Sequence, residues 1–218
     1  MLDPQYLIPA LIAVAIILLV SFPVHEFSHA LVADRLGDHT ARYMGRLTLD
    51  PRVHFDPLGG GILVLSAIVG GVFIGWAKPT PVNPNNLEGG HRGEALVALA
   101  GPASNLVMAA LFAIAVRIVA ALHLLHPYVG TLDAYIWLTL IDLVAINVFL
   151  FIFNLLPIPP LDGYKVLLGF VSPRTAWQLR QYEQYGFLLI LVLFLFGSPI
   201  ILPIGSAILN FLIGQPVY

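Results

Sequence analysis

"FPVHEFSHALVADRLG", residues 22–37, follows Ser21 and the apolar run "LIPALIAVAIILLV", residues 7–20. The run is long enough, with its flanks, to enter a bilayer, which takes about 20 mostly apolar residues to cross. Two histidines, a glutamate and a proline at the inner end of such a helix are costly in lipid, and ionisable groups there usually serve a function. Within the stretch, His25-Glu26-Phe27-Ser28-His29 is an HExxH motif. On a helix, His25 and His29 lie one turn apart and project from one face, about 40° apart around the axis. Both imidazoles can reach one zinc ion, and Glu26 sits beside them, placed to take a proton from water at that metal. Pro23 interrupts the backbone ladder just before His25 and is expected to bend the helix.

The rest of the chain is of the same kind. Of its 218 residues 59% are hydrophobic and only 10% are charged, and mean hydropathy is +0.90. Soluble domains carry about 25% charged residues, so this reads as an integral membrane protein. A net charge of −2 provides no basic stripe for nucleic acid. The chain has no Cys, so a metal site must be built from His and carboxylate. The N-terminus lacks the basic region of a signal peptide, its first charge being Asp3, and reads as an uncleaved membrane helix.

Four stretches predict membrane helices: about 6–36, 95–125, 134–156 and 187–213. Gly197, Pro199 and Pro203 are expected to kink or break the last. A fifth apolar stretch, 57–77, is studded with glycine. Cytoplasmic loops tend to be rich in Lys and Arg, which tests whether it crosses. Arg35, Arg42, Arg46, Arg52, Lys78 and Arg92 flank it, 126–133 has no basic residue, and Lys165, Arg174 and Arg180 follow the third helix. Every basic connection falls on one side only if 57–77 does not cross. The expected fold is therefore an all-α polytopic membrane protein with four transmembrane helices and a re-entrant segment at 57–77. The stretches 41–50 and 75–86 look extended and suggest a small β element near the cytoplasmic face, with an edge from 41–50 or 72–83 on which a substrate could be held as an added strand. One membrane-embedded domain is expected over 1–218, with a core at 6–170 and a C-terminal helical segment at 187–213.

Two histidines leave zinc short of ligands, since catalytic sites usually have three from the protein. His39, His54, His91, His123, His126 and the carboxylates are candidates. Asp162, in "FNLLPIPPLDGYKV", stands out after a proline-stiffened stretch, with Gly163 letting the chain turn. A helix-capping turn explains a lone Asp-Gly equally well.

The ordered set HEFSH (25–29), "LAGPASNL" (99–106) and "NLLPIPPLDG" (154–163) resembles the site-2 protease family of intramembrane zinc metalloproteases. "GRLTLDPRVHFDPLG" (45–59) and "GWAKPTPVNP" (75–84) resemble its compact prokaryotic branch, which lacks PDZ and CBS domains; Asp50 departs from the Asn expected there. The resemblance covers most of residues 20–170. It implies one zinc ion held by His25, His29 and Asp162, with Glu26 catalytic and Asn154 helping to hold the substrate carbonyl. It also implies a transmembrane protein as substrate, the lipid bilayer as surroundings and a prokaryotic cell membrane as location; the basic loops put the site towards the cytoplasm. Asn105 and His54 are possible site-lining positions on the ground of the resemblance. Asn147, seven residues before Asn154, shares its helix face, and either lines a polar cavity or makes an interhelical hydrogen bond. Gly101, Ala103 and Ser104 make a small-residue packing surface. Arg117 and Asp142 fall level on antiparallel helices and are expected to pair. The rival reading is a non-proteolytic membrane metal-binding protein or transporter. A transporter would be expected to show repeated halves, and no internal repeat stands out.

Overall fold

Apolar side chains dominate the 30 residues Tyr6–Arg35, which form one continuous helical run. In the computed structural model, which describes residues 4–69, 75–128 and 130–214, α1 (Pro4–Ile16) runs through a π-helical turn, Ile17–Ser21, into α2 (Phe22–Arg35). The π turn answers the proline problem. The Phe22 N–H bonds the Ile17 carbonyl, five residues back, and Pro23, with no N–H to place, follows within the first turn of α2. The helix therefore continues through Pro23 instead of breaking there. The wider turn absorbs the missing bond.

Short helices α3 (Thr40–Tyr43) and α4 (Pro51–His54) follow, then α5 (Pro57–Val69). After irregular residues 75–83 come the two long helices α6 (His91–Ala121) and α7 (Leu132–Asn154). The chain ends in α8 (Asp162–Phe170), α9 (Pro173–Arg180), α10 (Gly186–Phe196) and α11 (Ser198–Ile213). Three described helices are long and apolar enough to cross a membrane: Tyr6–Arg35, His91–Ala121 and Leu132–Asn154. The expected fourth, 187–213, is two pieces. The stretches Glu183–Leu193 and Ser198–Ile213 meet at a 76° bend, with Gly197 preceding α11 and Pro199 in its first turn; together they make one crossing only if so bent a pair counts as a single span.

Helices in lipid gain little from hydrophobic transfer and pack instead through small side chains. Ala109 and Ala113 of α6 are buried against Val144 and Val148 of α7 and Leu209 of α11. Ala13 and Val14 of α1 pack with Leu63 and Ala67 of α5 and Leu143 of α7. The described part of α5 has 13 residues, about 20 Å of rise; residues 70–74 of the expected 57–77 segment lie outside the described residues. The chain that follows it comes back alongside: a Cβ on Gly59 would lie 2.2 Å from the Trp76 carbonyl oxygen, and one on Gly75 would lie 2.5 Å from the Leu63 Cβ.

No strand is present among the described residues, so the expected β element is not formed there; residues 72–74 lie outside them. Thr40–Tyr43 is helical. Residues 75–83 stay irregular because their backbone groups have other partners. Pro79 and Pro81 have no N–H. The Lys78 N–H goes to the His54 carbonyl at 2.8 Å, and the Lys78 and Pro79 carbonyls accept from the buried Arg46 guanidinium. The Asn83 N–H goes to the buried Asp38 carboxylate at 2.7 Å. A ladder has few groups left to use.

The Arg117–Asp142 pair is not formed. Arg117 instead donates to the carbonyls of Phe211 (2.7 Å) and Ile213 (3.2 Å) at the end of α11. The last carbonyls of a helix have no partner within it and carry partial negative charge, which suits a guanidinium.

Candidate metal centre

The two HExxH imidazoles meet as their spacing requires. His25 Nε2 and His29 Nε2 are 3.0 Å apart. The α7–α8 connection brings Asp162, first residue of α8, against them, with its Oδ2 3.2 Å from each Nε2. Gly163 makes this possible by close approach and not by turning: a Cβ there would lie 2.1 Å from the Leu155 carbonyl oxygen. All three ligand atoms are held in a sheltered position, with Glu26 and His29 buried.

Each imidazole is tethered by its other nitrogen to α6. His29 Nδ1 donates to the Val97 carbonyl at 2.7 Å, and His25 Nδ1 is 2.6 Å from Asn105 Oδ1. A carbonyl only accepts, so the neutral His29 carries its proton on Nδ1 and turns a bare lone pair inward. Between the two tethers, at the spacing of one turn, sits Gly101. A Cβ there would lie 2.2 Å from His29 Nε2 and 2.6 Å from His25 Nε2. The small-residue surface of α6 therefore faces the histidine pair at this position.

These observations test whether a metal fits. Three donor atoms converge with edges of 3.0, 3.2 and 3.2 Å. Tetrahedral zinc with bonds of about 2.0–2.1 Å has ligand–ligand edges of about 3.3 Å. A carboxylate and two inward lone pairs at this separation suit a cation, and the residues fit zinc.

Glu26, next to His25, is oriented by a loop remote in sequence. Its Oε2 accepts from the Thr80 N–H at 2.7 Å, and its main-chain carbonyl accepts from Thr80 Oγ1 at 2.9 Å. A cavity of about 590 Å³ opens over these groups, lined also by Trp76, Phe153, Asn154 and Lys165. Asn154 donates one amide hydrogen to the Leu150 carbonyl at 3.0 Å.

The other expected positions separate. Asn105 lines the cavity. Asn147 does not: it is fully buried, bonded to Asn105 Nδ2 at 3.2 Å, so the interhelical reading of it holds. His54 does not line the cavity either. It is buried, with Nε2 on the Thr48 carbonyl at 2.7 Å, and it braces the 48–54 turn. Thr80 and Gly101 were not singled out from sequence as parts of the site, nor Arg46 and Asp38 as the residues that hold the loop carrying Thr80. The spacing of four in 97, 101 and 105 was visible, but whether it faces a ligand or a neighbouring helix depends on packing.

Comparison with known proteins bears on the same residues. The pattern of peptidase family M50 matches residues 124–198, which include Asn154 and Asp162. The Bacillus subtilis (strain 168) protein YwhC is 39% identical over 210 residues, covering 94% of this chain and 86% of YwhC. The chain belongs to peptidase family M50, the site-2 protease family. Rip2 of Mycolicibacterium smegmatis is 37% identical over 177 residues, and Rip2 of Mycobacterium tuberculosis (strain H37Rv) 37% over 178; the chain spans 63% and 64% of those proteins. YwhC and both Rip2 proteins carry zinc-metalloprotease names. No solved structure matches the chain. With this membership, the M50 chain is a zinc metalloprotease of the site-2 type and, by its apolar helices, an integral membrane protein.

Proposed function

We propose that this M50 protease is an intramembrane endopeptidase that hydrolyses peptide bonds in or near transmembrane segments of other membrane proteins. The observation that carries the reading is the His25–His29–Asp162 triangle at the end of an apolar helix long enough to cross the bilayer. His25, His29 and Asp162 would hold the zinc. When bound, zinc supplies a Lewis acid that polarises the scissile carbonyl and eases deprotonation of water.

Glu26 takes the proton from the attacking water as its oxygen bonds the carbonyl carbon, and gives it to the amine nitrogen as the C–N bond breaks. With Oε2 bound by the Thr80 N–H, Oε1 is the atom that receives the proton. Asn154 spends one N–H on the Leu150 carbonyl and offers the second to the substrate carbonyl oxygen.

The site faces the cytoplasm in this reading, and residues 57–77 enter and leave the membrane on that side. Two facts support it. The His pair and Asp162 share one depth, so an even number of crossings separates them, and α6 and α7 supply two. Trp76 returns to Gly59 at the start of α5, so the stretch between them supplies no third. Single-cysteine labelling on the Cys-free chain tests the topology: residues 80–90 labelled only from outside would refute it.

The functional test uses purified protein and a single-span substrate. Glu26→Gln should retain zinc and lose cleavage. Equal cleavage by both proteins would refute the mechanism.

A further inference from the structure

Asn147 lies in the middle of α7, fully buried and away from the cavity. We propose that it is a positioning residue that sets the tautomer of His25 through a one-way relay of amide hydrogen bonds. The inference rests on the metal reading above for its consequence, but not for its first measurement.

The relay starts at a main-chain carbonyl. Asn147 Nδ2 donates to the Leu143 carbonyl at 2.8 Å, and that oxygen can only accept. An amide has its donor on one side and its acceptor on the other, so Asn147 must turn Oδ1 towards α6. There it meets Asn105 Nδ2 at 3.2 Å. Asn105, also fully buried, must then turn its own Oδ1 to His25, where it lies 2.6 Å from Nδ1. An oxygen at that distance requires a proton on Nδ1. The neutral imidazole has one N–H, so Nε2 is left with a bare lone pair, pointing at His29 Nε2 and Asp162 Oδ2.

Reversing the relay would set Asn147 Oδ1 against the Leu143 carbonyl. Two buried acceptors in contact cost several times what an ordinary hydrogen bond contributes, and lipid around the helices gives no water to relieve them. The polarity is thus dictated by Leu143, four residues before Asn147. His29 reaches the same result by a shorter route, because its Nδ1 sits directly on the Val97 carbonyl. Both ligands end on a backbone carbonyl; His25 needs two amides to get there.

Removing Asn147 leaves Asn105 Nδ2 without its acceptor. The Asn105 amide is then free to turn over and offer N–H to His25 Nδ1. His25 Nδ1 must accept, its proton moves to Nε2, and the metal-facing lone pair is lost. Asn147→Asp keeps an oxygen towards Asn105 in either protonation state, so it should preserve the relay.

The test uses the full chain in detergent, metal-free and at a pH where His25 holds a single ring proton, with ¹⁵N-labelled histidine. The His25 ring signals are assigned by their loss in His25→Gln. Wild type and Asn147→Asp should show His25 protonated at Nδ1, and Asn147→Leu should show protonation at Nε2. Zinc affinity, measured against a competing chelator, should fall 10–100-fold in Asn147→Leu, as for other groups that orient a ligand, and recover in Asn147→Asp. If Asn147→Leu does not fold, Asn147→Ser is read the same way, since its hydroxyl bonds Leu143 but is too short to reach Asn105. Nδ1 protonation in the leucine or serine variant, or zinc affinity there equal to that of a zinc-binding wild type, overturns the proposal. A wild type that binds no zinc refutes the metal reading instead, and the metal-free spectra still decide the relay.

Discussion

Substituting Gly101 by Ala sets two opposing effects against each other. Alanine is the better helix former by about 1 kcal/mol, and Gly101 lies inside α6, so the helix itself should gain. The added Cβ, however, would sit 2.2 Å from His29 Nε2, 2.5 Å from His29 Cε1 and 2.6 Å from His25 Nε2. Carbon needs roughly 3.5 Å from such neighbours, so the shortfall is about 1 Å at both ligands. Neither ring can retreat freely, because His29 Nδ1 is held by Val97 at 2.7 Å and His25 Nδ1 by Asn105 at 2.6 Å. Zinc tolerates ligand displacements of about 0.2 Å. Gly101→Ala should therefore weaken zinc binding at least about 100-fold, or roughly 2.7 kcal/mol, and abolish cleavage. Thermal unfolding of the metal-free protein should be unchanged or lowered, because overpacking costs about 1–3 kcal/mol against the helix gain of about 1 kcal/mol. Metal content and chelator competition on purified protein measure the first effect. Gly61→Ala, where the added carbon meets nothing within 4 Å, is the control and should bind zinc normally. Zinc affinity within threefold of wild type in Gly101→Ala would show that α6 does not face the metal as described.

Two other sites give equally direct tests. Thr80→Pro removes the N–H that orients Glu26; a hydrogen bond to a charged group contributes about 1.5–3 kcal/mol, so kcat should fall roughly 10–150-fold with zinc retained, while Thr80→Ala, which keeps that N–H, should do much less harm. Burial pushes the Asp38 carboxyl up, but hydrogen bonds from Thr40, Asn83 and Asn86 outweigh it and lower it. With a folded value below the unfolded one of about 3.9, Asp38 contributes stability that is present above that pH and lost as pH falls through the folded value. Thermal unfolding followed down from pH 6 should show this loss below about pH 4 in wild type, and a shallower one in Asp38→Asn; equal slopes would refute it.

The metal ligands were legible in the sequence to different depths. The His pair and Glu26 follow from helical spacing alone, because an HExxH segment folds into the same local geometry wherever a helix forms. Asp162 carries no such local signature and was reached through resemblance. At Pro23 the π turn just ahead carries the helix through, a device that no sequence pattern announced. The pairing of Arg117 with Asp142 failed because depth was the only information available. A guanidinium level with a carboxylate also had the free carbonyls at the end of α11 within reach, and those were invisible until α11 was placed.

Composition and pattern by themselves determined that this is a membrane protein, that its N-terminal helix carries a metal-binding motif, and that two further helices cross. Those properties depend on hydrophobicity and on contacts within one or two turns. The tertiary structure decided what lies around the motif. It brings Asp162 to within 3.2 Å of both imidazoles, lays the 75–83 loop on Glu26, and turns the 97–101–105 face of α6 towards the ligands. It also makes Asn147 the end of a buried relay instead of a cavity wall. The reason is physical. A hydrogen-bond direction or a 2 Å clearance is set by the partner across the contact, and those partners lie tens of residues away along the chain.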